Sequence, residues 1–263
     1  MSSIRKMDHL ERTANNYRQN ALYPAQICGI MNESEVVKRL RVAVHPDFCF
    51  KAGQWASFDV RSTSSSGLFT WRIIQPTFIL ILITNCVYSL FPQCTVGSQV
   101  AMRVGGDFFF DPSPSDPAVD LLLVAGGVGI NPLYSILLHT ADLMHLNRSS
   151  GGRDYNIGSV HLSYSAKNTQ ELLFKSSIIE ACREFPDKFS CDFHVTQQST
   201  DVEPDLRPFL SRGRITEEEL QARVDPQKTL CFLCGPPPMI EALSKTLLDS
   251  GLPKDKILFE KWW

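Results

Sequence analysis

Two distant segments of this 263-residue chain share one pattern, a short apolar run that ends in residues which break regular structure. The first is Leu121 to Pro132 (LLLVAGGVGINP), and the second is Leu230 to Met239 (LCFLCGPPPM). Each apolar run is too short for a helix, so it predicts a buried strand, and the glycines or prolines that follow predict a tight turn into a helix. Repeated strand-turn-helix units indicate an α/β fold with a parallel sheet.

The first turn is rich in glycine, at Gly126, Gly127 and Gly129. The missing side chains let a ligand approach backbone N–H groups, and Asn131-Pro132 fits an N-cap followed by proline at the first helical position. Because a helix N-terminus favours an anion, the turn predicts a pyrophosphate site. Tight packing is the alternative reason for glycine here, and the spacing departs from the dinucleotide fingerprint Gly-x-Gly-x-x-Gly.

Both turns resemble those of the ferredoxin-NADP reductase superfamily, in which a Gly-Gly-x-Gly-Ile-x-Pro turn and a Cys-Gly-Pro-Pro-x-Met turn flank one NAD(P)H molecule. Leu162 to Leu173 is similar to the second strand and ribose loop of that family, and Phe259 to Trp263 (FEKWW) is similar to its closing strand with a terminal aromatic residue. The likeness is close over residues 94–263 and moderate over residues 35–60.

The resemblance implies an α/β nucleotide-binding domain with a parallel sheet at residues 116–263, preceded by a small, incomplete antiparallel β-barrel domain of the flavin type at residues 35–115. The barrel agrees with strand-like alternation in three segments, which are Val36 to Val44, Gln54 to Val60 and Ser98 to Val104. Residues 1–34 are polar and mixed in charge, so they predict a flexible tail without a signal peptide.

The same resemblance implies the site residues. The cofactor-binding set is Gly126, Gly127, Gly129, Ile130, Asn131, Pro132, Ser165, Lys167, Cys234, Gly235, Pro236, Pro237 and Met239. In the family a nicotinamide passes hydride to a flavin, which requires ring stacking and exclusion of water rather than a strong acid or base.

Three further residues form the implied catalytic set, Cys234, Glu260 and Trp263. Cys234 is expected beside the nicotinamide, Glu260 is expected to complete that pocket, and Trp263 or its neighbour Trp262 is expected to cover the flavin. Each has a structural alternative, namely a small core residue, a solvated charge and a terminal hydrophobic plug.

The choice between NAD(H) and NADP(H) stays open in the sequence. Ser165 and Lys167 fall where the family binds the adenosine ribose. A single lysine without a neighbouring arginine would bind a 2′-phosphate weakly, which slightly favours NADH. The absence of an acid that could bind the bare ribose hydroxyl argues in the other direction.

Residues 63–93 depart from the family, because no polar strand for holding a flavin is visible there. The stretch is a transmembrane helix over Ile73 to Phe91, a diverged pair of barrel strands around Phe78 to Ile83, or a segment foreign to the fold. The abrupt return of the resemblance near Cys94 favours the third explanation. FAD is therefore expected from the family but in doubt here, and the alternative function is an NAD(P)H-binding module with little or no catalysis.

Composition excludes other classes of function. A net charge of -2 without a basic run predicts no nucleic-acid partner, and a membrane partner is not expected. Eight irregularly spaced cysteines predict reduced thiols, and the Cys231/Cys234 pair lacks the partners of a zinc site. The electron acceptor is unknown, and the resemblance implies a mitochondrial location, with the cytoplasm as the alternative.

Overall fold

The computed structural model describes residues 17–35, 37–60, 71–75, 78–84, 95–149 and 155–261. The chain forms two compact units, one ending at Phe109 and one beginning at Phe110. The first contains an antiparallel sheet and the second a parallel sheet with helices, which confirms the predicted fold class.

The described residues of the first unit form six strands: β1 (Tyr23–Asn32), β2 (Val37–Val44), β3 (Trp55–Val60), β4 (Trp71–Gln75), β5 (Phe78–Thr84) and β6 (Gln99–Gly105). They form one sheet in the order β3-β6-β1-β2-β5-β4. Ile27, Val42 and Met102 are fully buried in the core of this unit.

The prediction of a flexible tail up to residue 34 is wrong for residues 23–32, which form β1. Ala25 and Ile27 are buried at alternate positions, and the strand pairs with both β2 and β6. A register shift between Ile27 and Gly29 interrupts the alternation, which concealed the strand in the sequence. Residues 1–16 lie outside the described residues.

The atypical stretch at residues 63–93 contributes β4 and β5, which are paired with each other at one end of the sheet. β5 also pairs with β2, from Val37 opposite Thr84 to Ala43 opposite Phe78. The prediction of a transmembrane helix is therefore wrong for the residues of β4 and β5. The prediction of a pair of barrel strands agrees with them. The foreign origin of the segment stays a prediction. None of the helices in the described part of the chain is both long and apolar enough to cross a membrane.

The second unit alternates strands and helices: β7 (Val119–Gly126), α1 (Ile130–Ser149), β8 (Ile157–Ala166), α2 (Lys175–Glu184), β9 (Phe189–Val195), β10 (Leu210–Arg212), α3 (Glu217–Gln221), β11 (Thr229–Gly235), α4 (Pro237–Asp249) and β12 (Ile257–Lys261). Short 3-10 helices lie at Gly127–Gly129, Pro204–Phe209 and Lys254–Lys256. The parallel sheet has the order β10-β9-β8-β7-β11-β12, so the strands of the two motifs, β7 and β11, are neighbours.

The start of α1 differs from the sequence prediction. The helix begins at Ile130, so Asn131 lies inside its first turn and is not the N-cap. The 3-10 helix at Gly127–Gly129 begins the winding earlier and runs directly into α1. Helix α3 begins with a capping box, in which Glu219 N–H donates to Thr216 Oγ1 and Thr216 N–H donates to a Glu219 carboxylate oxygen.

One face of β8 and β9 is polar, although parallel sheets are usually apolar on both faces. His161 is buried there, with its Nδ1 2.8 Å from Ser190 Oγ and its Nε2 3.3 Å from Asp192 Oδ2. Arg223 lies 3.4 Å from the same carboxylate oxygen. The hydrogen bond with His161 lowers the pKa of Asp192 below its usual value. This polar face leads toward the carboxyl ends of the strands.

His194 on this face predicts a pH-dependent stability. The side chain is 2% exposed, and burial lowers the pKa of its imidazole, with only partial opposition from the carboxylates of Glu219 and Asp192. The His194 imidazole is protonated near pH 6.5 in the unfolded chain and only at lower pH in the folded chain. The free energy of unfolding should therefore fall as the pH drops through about 6.5, by at most about 1.4 kcal/mol per pH unit. Melting temperatures of wild type and His194→Gln from pH 8 to 5 check this.

The slope should be smaller in His194→Gln than in wild type. His145→Gln is the matched control, because His145 is exposed on α1. Equal slopes in wild type and His194→Gln would contradict the prediction.

Candidate functional site

The two motif turns lie against each other at the carboxyl ends of β7 and β11. A Cβ atom added at Gly129 would overlap the Cys234 carbonyl and lie 2.8 Å from the Gly235 nitrogen. A Cβ atom added at Gly126 would lie 2.6 Å from Met239 Sδ and 2.9 Å from Pro236 Cδ. These two glycines therefore permit the close packing of the first turn on the second.

Gly127 has a different environment. Its φ of 55° lies in the left-handed region, and a Cβ atom added there would meet no other atom of the described chain within 4 Å. The space beside this backbone is open, so Gly127 is the position at which a pyrophosphate can approach the turn closely. Of the three glycines predicted to admit a ligand, it is the one whose surroundings leave room.

The three residues after the glycines are buried in the first turn of α1: Ile130, Asn131 and Pro132. Asn131 is 4% exposed, and its Oδ1 has no hydrogen-bond partner within the described residues. An unsatisfied buried acceptor is rare in native structures and indicates a missing partner. This acceptor is thus available to a hydrogen-bond donor of a ligand.

A cavity of about 360 Å³ opens at the carboxyl ends of β8, β9 and β11, where open α/β sheets bind their ligands. Its polar lining consists of Ser165, Thr196 and Arg214, and its apolar lining consists of Ile215, Pro236, Pro238, Met239, Ala242 and Leu243. The combination of an extended apolar wall and a few polar groups is typical of a small-molecule site.

The predicted residues Ser165, Pro236 and Met239 line this cavity, whereas Lys167 is exposed and does not. Gly235 ends β11, and Pro237 begins α4.

Sequence reasoning missed Arg214 as a lining residue. It is separated from the ribose loop by β9 and β10, and no spacing rule connects the two segments. Arg214 lies two residues before the capping box of α3, and no local sequence pattern there marks it as a ligand-binding residue.

The last two strands bring two predicted catalytic residues together. Cys234 lies opposite Glu260 in the parallel register of β11 and β12, so their side chains project to the same face. Cys234 is fully buried, and Glu260 is half-buried rather than a freely solvated charge. Trp262 and Trp263 lie outside the described residues, so their role over a flavin stays a prediction.

Cys231 and Cys234 do not form a redox pair. Residues three apart in a strand project to opposite faces, and Cys231 packs with Leu122 and Leu233 in the core on the α4 side. Burial raises the pKa of the Cys231 thiol well above its usual value, which makes it unreactive. Within the described ranges, no group of three His, Cys, Asp or Glu residues is placed to hold a metal ion.

Gln54 and Trp55 of the first unit make close contacts within that unit. The Trp55 ring packs against the glycine turn, because a Cβ atom at Gly105 or Gly106 would come within 2.5 to 2.7 Å of it. The Gln54 amide is already used, donating to the Gly106 carbonyl at 3.0 Å and accepting from the Lys51 N–H at 2.8 Å. Both side chains therefore help to stabilise the first unit.

Comparisons with known sequences agree with this geometry. The oxidoreductase NAD-binding domain family matches residues 123–245, which include both motif turns. The chain is 56% identical over 275 residues to oxidoreductase NAD-binding domain-containing protein 1 of Danio rerio, with 100% of each chain covered. It is 46% identical to the protein of that name from Homo sapiens, over 100% of this chain and 87% of the human protein.

Solved structures share the fold at low sequence identity. The cytochrome b5 reductase domain of Ulva prolifera nitrate reductase matches with a TM-score of 0.73 at 16% identity, over 91% of this chain and 97% of that domain. A ferredoxin NADP+ reductase from Neisseria gonorrhoeae with bound FAD and NADP matches with a TM-score of 0.70 at 16% identity, over 93% and 100%. The chain has a ferredoxin-reductase-like fold, and its general class is that of an NAD(P)H oxidoreductase. It belongs to the oxidoreductase NAD-binding domain-containing protein 1 family.

Proposed function

We propose that the chain is an NAD(P)H-dependent oxidoreductase of the flavin type, which passes hydride from the nicotinamide to a flavin and then electrons to a separate acceptor. One observation carries the proposal. The glycine turn and the Cys-Gly-Pro-Pro turn are in direct contact, at the end of the sheet where the cavity opens.

The residues of the second unit fit a nicotinamide nucleotide. Gly127 leaves room for the pyrophosphate next to the N-terminus of α1, whose positive end favours an anion. The cavity beside Ser165 and Met239 offers an apolar wall for a flat base and hydroxyls for a ribose. Asn131 Oδ1, which has no hydrogen-bond partner in the described part of the chain, can accept a hydrogen bond from the nucleotide.

Cys234 and Glu260 supply the end of the site at which the nicotinamide reacts. A flavin would supply the hydride-accepting ring, and the task of these side chains is to orient the nicotinamide and exclude water from it. The thiol of Cys234 suits this role because it is small and fully buried. Glu260, directly opposite in the register, provides a polar boundary.

A specific observation favours a second function, an NAD(P)H-binding module with little or no turnover. Gln54 and Trp55 in the first unit are already engaged with their own chain. Strand β5 has the sequence FILILIT, in which residues 78–83 carry no side-chain hydrogen-bond donor. A flavin dinucleotide needs donors for two phosphates, and this strand supplies none.

Purification of the full chain with added FAD separates the two functions. Bound flavin at close to one equivalent, bleached by NADPH or NADH, is expected for the oxidoreductase. A colourless protein that still binds NAD(P)H by calorimetry would support the binding module instead. Absence of both flavin and nucleotide binding would contradict both functions.

We further propose a mitochondrial location, on the basis of the resemblance alone, with the cytoplasm as the alternative. Fractionation of cells that express the full chain with a carboxyl-terminal tag distinguishes the two. Recovery in the cytosolic fraction would exclude the mitochondrial location.

A further inference from the structure

We propose that the cavity at the end of β8 and β9 selects NADPH over NADH, and that Arg214 is the residue that binds the 2′-phosphate. The inference rests on the proposed function, since it concerns the nucleotide that the same site takes. This preference is opposite to the slight preference for NADH that was predicted from Ser165 and Lys167 in the sequence.

The polar side of the cavity contains one cation and two hydroxyl groups, from Arg214, Ser165 and Thr196. Within the described part of the chain, the Arg214 side chain and the Ser165 hydroxyl form no hydrogen bond or ion pair with other residues. Both are therefore available to a ligand. A guanidinium presents several N–H donors in a planar fork, which matches the oxygens of a phosphate.

The lining of the cavity contains no carboxylate among the described residues. Proteins that prefer NADH commonly hold the bare ribose hydroxyls with an Asp or Glu at this place. Two acids of the same unit are engaged elsewhere, Glu219 in its capping box and Asp192 beside His161. The charge on the cavity lining therefore favours a ligand with an additional phosphate.

Lys167 does not take this role. Both Lys167 and Arg214 are exposed, but Lys167 is absent from the cavity lining, and its backbone carbonyl accepts a hydrogen bond from the Gln197 N–H at 2.7 Å. The cation comes instead from the segment between β10 and α3, which carries Arg214 to the cavity. Specificity thus depends on a residue that is distant in sequence from the ribose loop.

Calorimetry with two small probes tests the inference on the full chain. The probes are 2′,5′-ADP, which carries the 2′-phosphate, and 5′-AMP, which lacks it. Wild type should bind 2′,5′-ADP at least about tenfold more tightly, since a hydrogen-bonded charge pair contributes an effect of that order. Arg214→Gln should remove most of this preference, because it should weaken binding of 2′,5′-ADP far more than binding of 5′-AMP.

Arg212→Gln is the matched control, because Arg212 is exposed at the end of β10 and does not line the cavity. It should retain the wild-type preference, and Arg214→Lys should retain part of it. Equal affinity of wild type for the two probes, with NADH still bound, would overturn the inference and leave the proposed function intact. Failure to bind either probe and either nucleotide would overturn both.

Discussion

Replacing Gly129 by valine is expected to abolish nucleotide binding by disrupting the contact between the two turns. A Cβ atom at this position overlaps the backbone carbonyl of Cys234, which cannot move away as a flexible side chain would. Overpacking of this kind should lower the free energy of unfolding by about 3 kcal/mol. Urea unfolding of the full chain measures the loss of stability, and calorimetry with NADPH measures the loss of binding.

Gly127→Ala is the matched control at the same turn. The added methyl group enters open space, so the loss of stability should be about 1 kcal/mol and should come from the left-handed backbone conformation. NADPH binding should nevertheless weaken, because the methyl group occupies the space that a pyrophosphate needs. Wild-type stability and affinity in Gly129→Val would show that the turns do not pack as described.

Replacing Cys234 by alanine is expected to slow hydride transfer by up to about a hundredfold while leaving nucleotide affinity nearly unchanged. The thiol is fully buried opposite Glu260, and a small displacement of a reacting ring has effects of this order. The contact of the Cys234 carbonyl with Gly129 involves backbone atoms and is kept in the variant. Stopped-flow reduction of FAD-loaded protein by NADPH measures the rate, and calorimetry measures the affinity.

Cys231→Ala provides the control for Cys234→Ala. It lies in the same strand and is equally buried, but its side chain projects to the opposite face. The same loss of thiol volume should leave its reduction rate at the wild-type value. An unchanged rate in Cys234→Ala would remove Cys234 from the catalytic set.

The second unit could be predicted well from the sequence, because its strands are short apolar runs and its turns have local signals. The apolar runs that begin at Leu121 and Leu230 lie in β7 and β11, and the helices α1 and α4 follow their turns as predicted. Helix α2, which follows the segment similar to the ribose loop, begins only at Lys175. The Asn168 side chain accepts from the N–H groups of Gln170 and Glu171 and holds them in a turn, which competes with helix formation.

The missed features depend on contacts between distant segments. Strand β1 is recognisable only through its pairing with β2 and β6, because its alternation is broken at a bulge. Arg214 reaches the cavity through the path of the chain after β10, which no local pattern specifies. The division of roles between Gly127 and Gly129 likewise follows from which neighbour each one faces, and both are simply glycines in the sequence.

The order of strands in the parallel sheet also determines when the site can form during synthesis. β7 is made before β11, yet one of its two edges pairs with β11, which follows β8, β9 and β10 along the chain. A nascent chain that has not reached Gly235 therefore presents an apolar strand with unpaired backbone groups, which favours aggregation. The pyrophosphate turn has no partner turn at that stage, so a nucleotide can stabilise this unit only after the segment through Gly235 has left the ribosome.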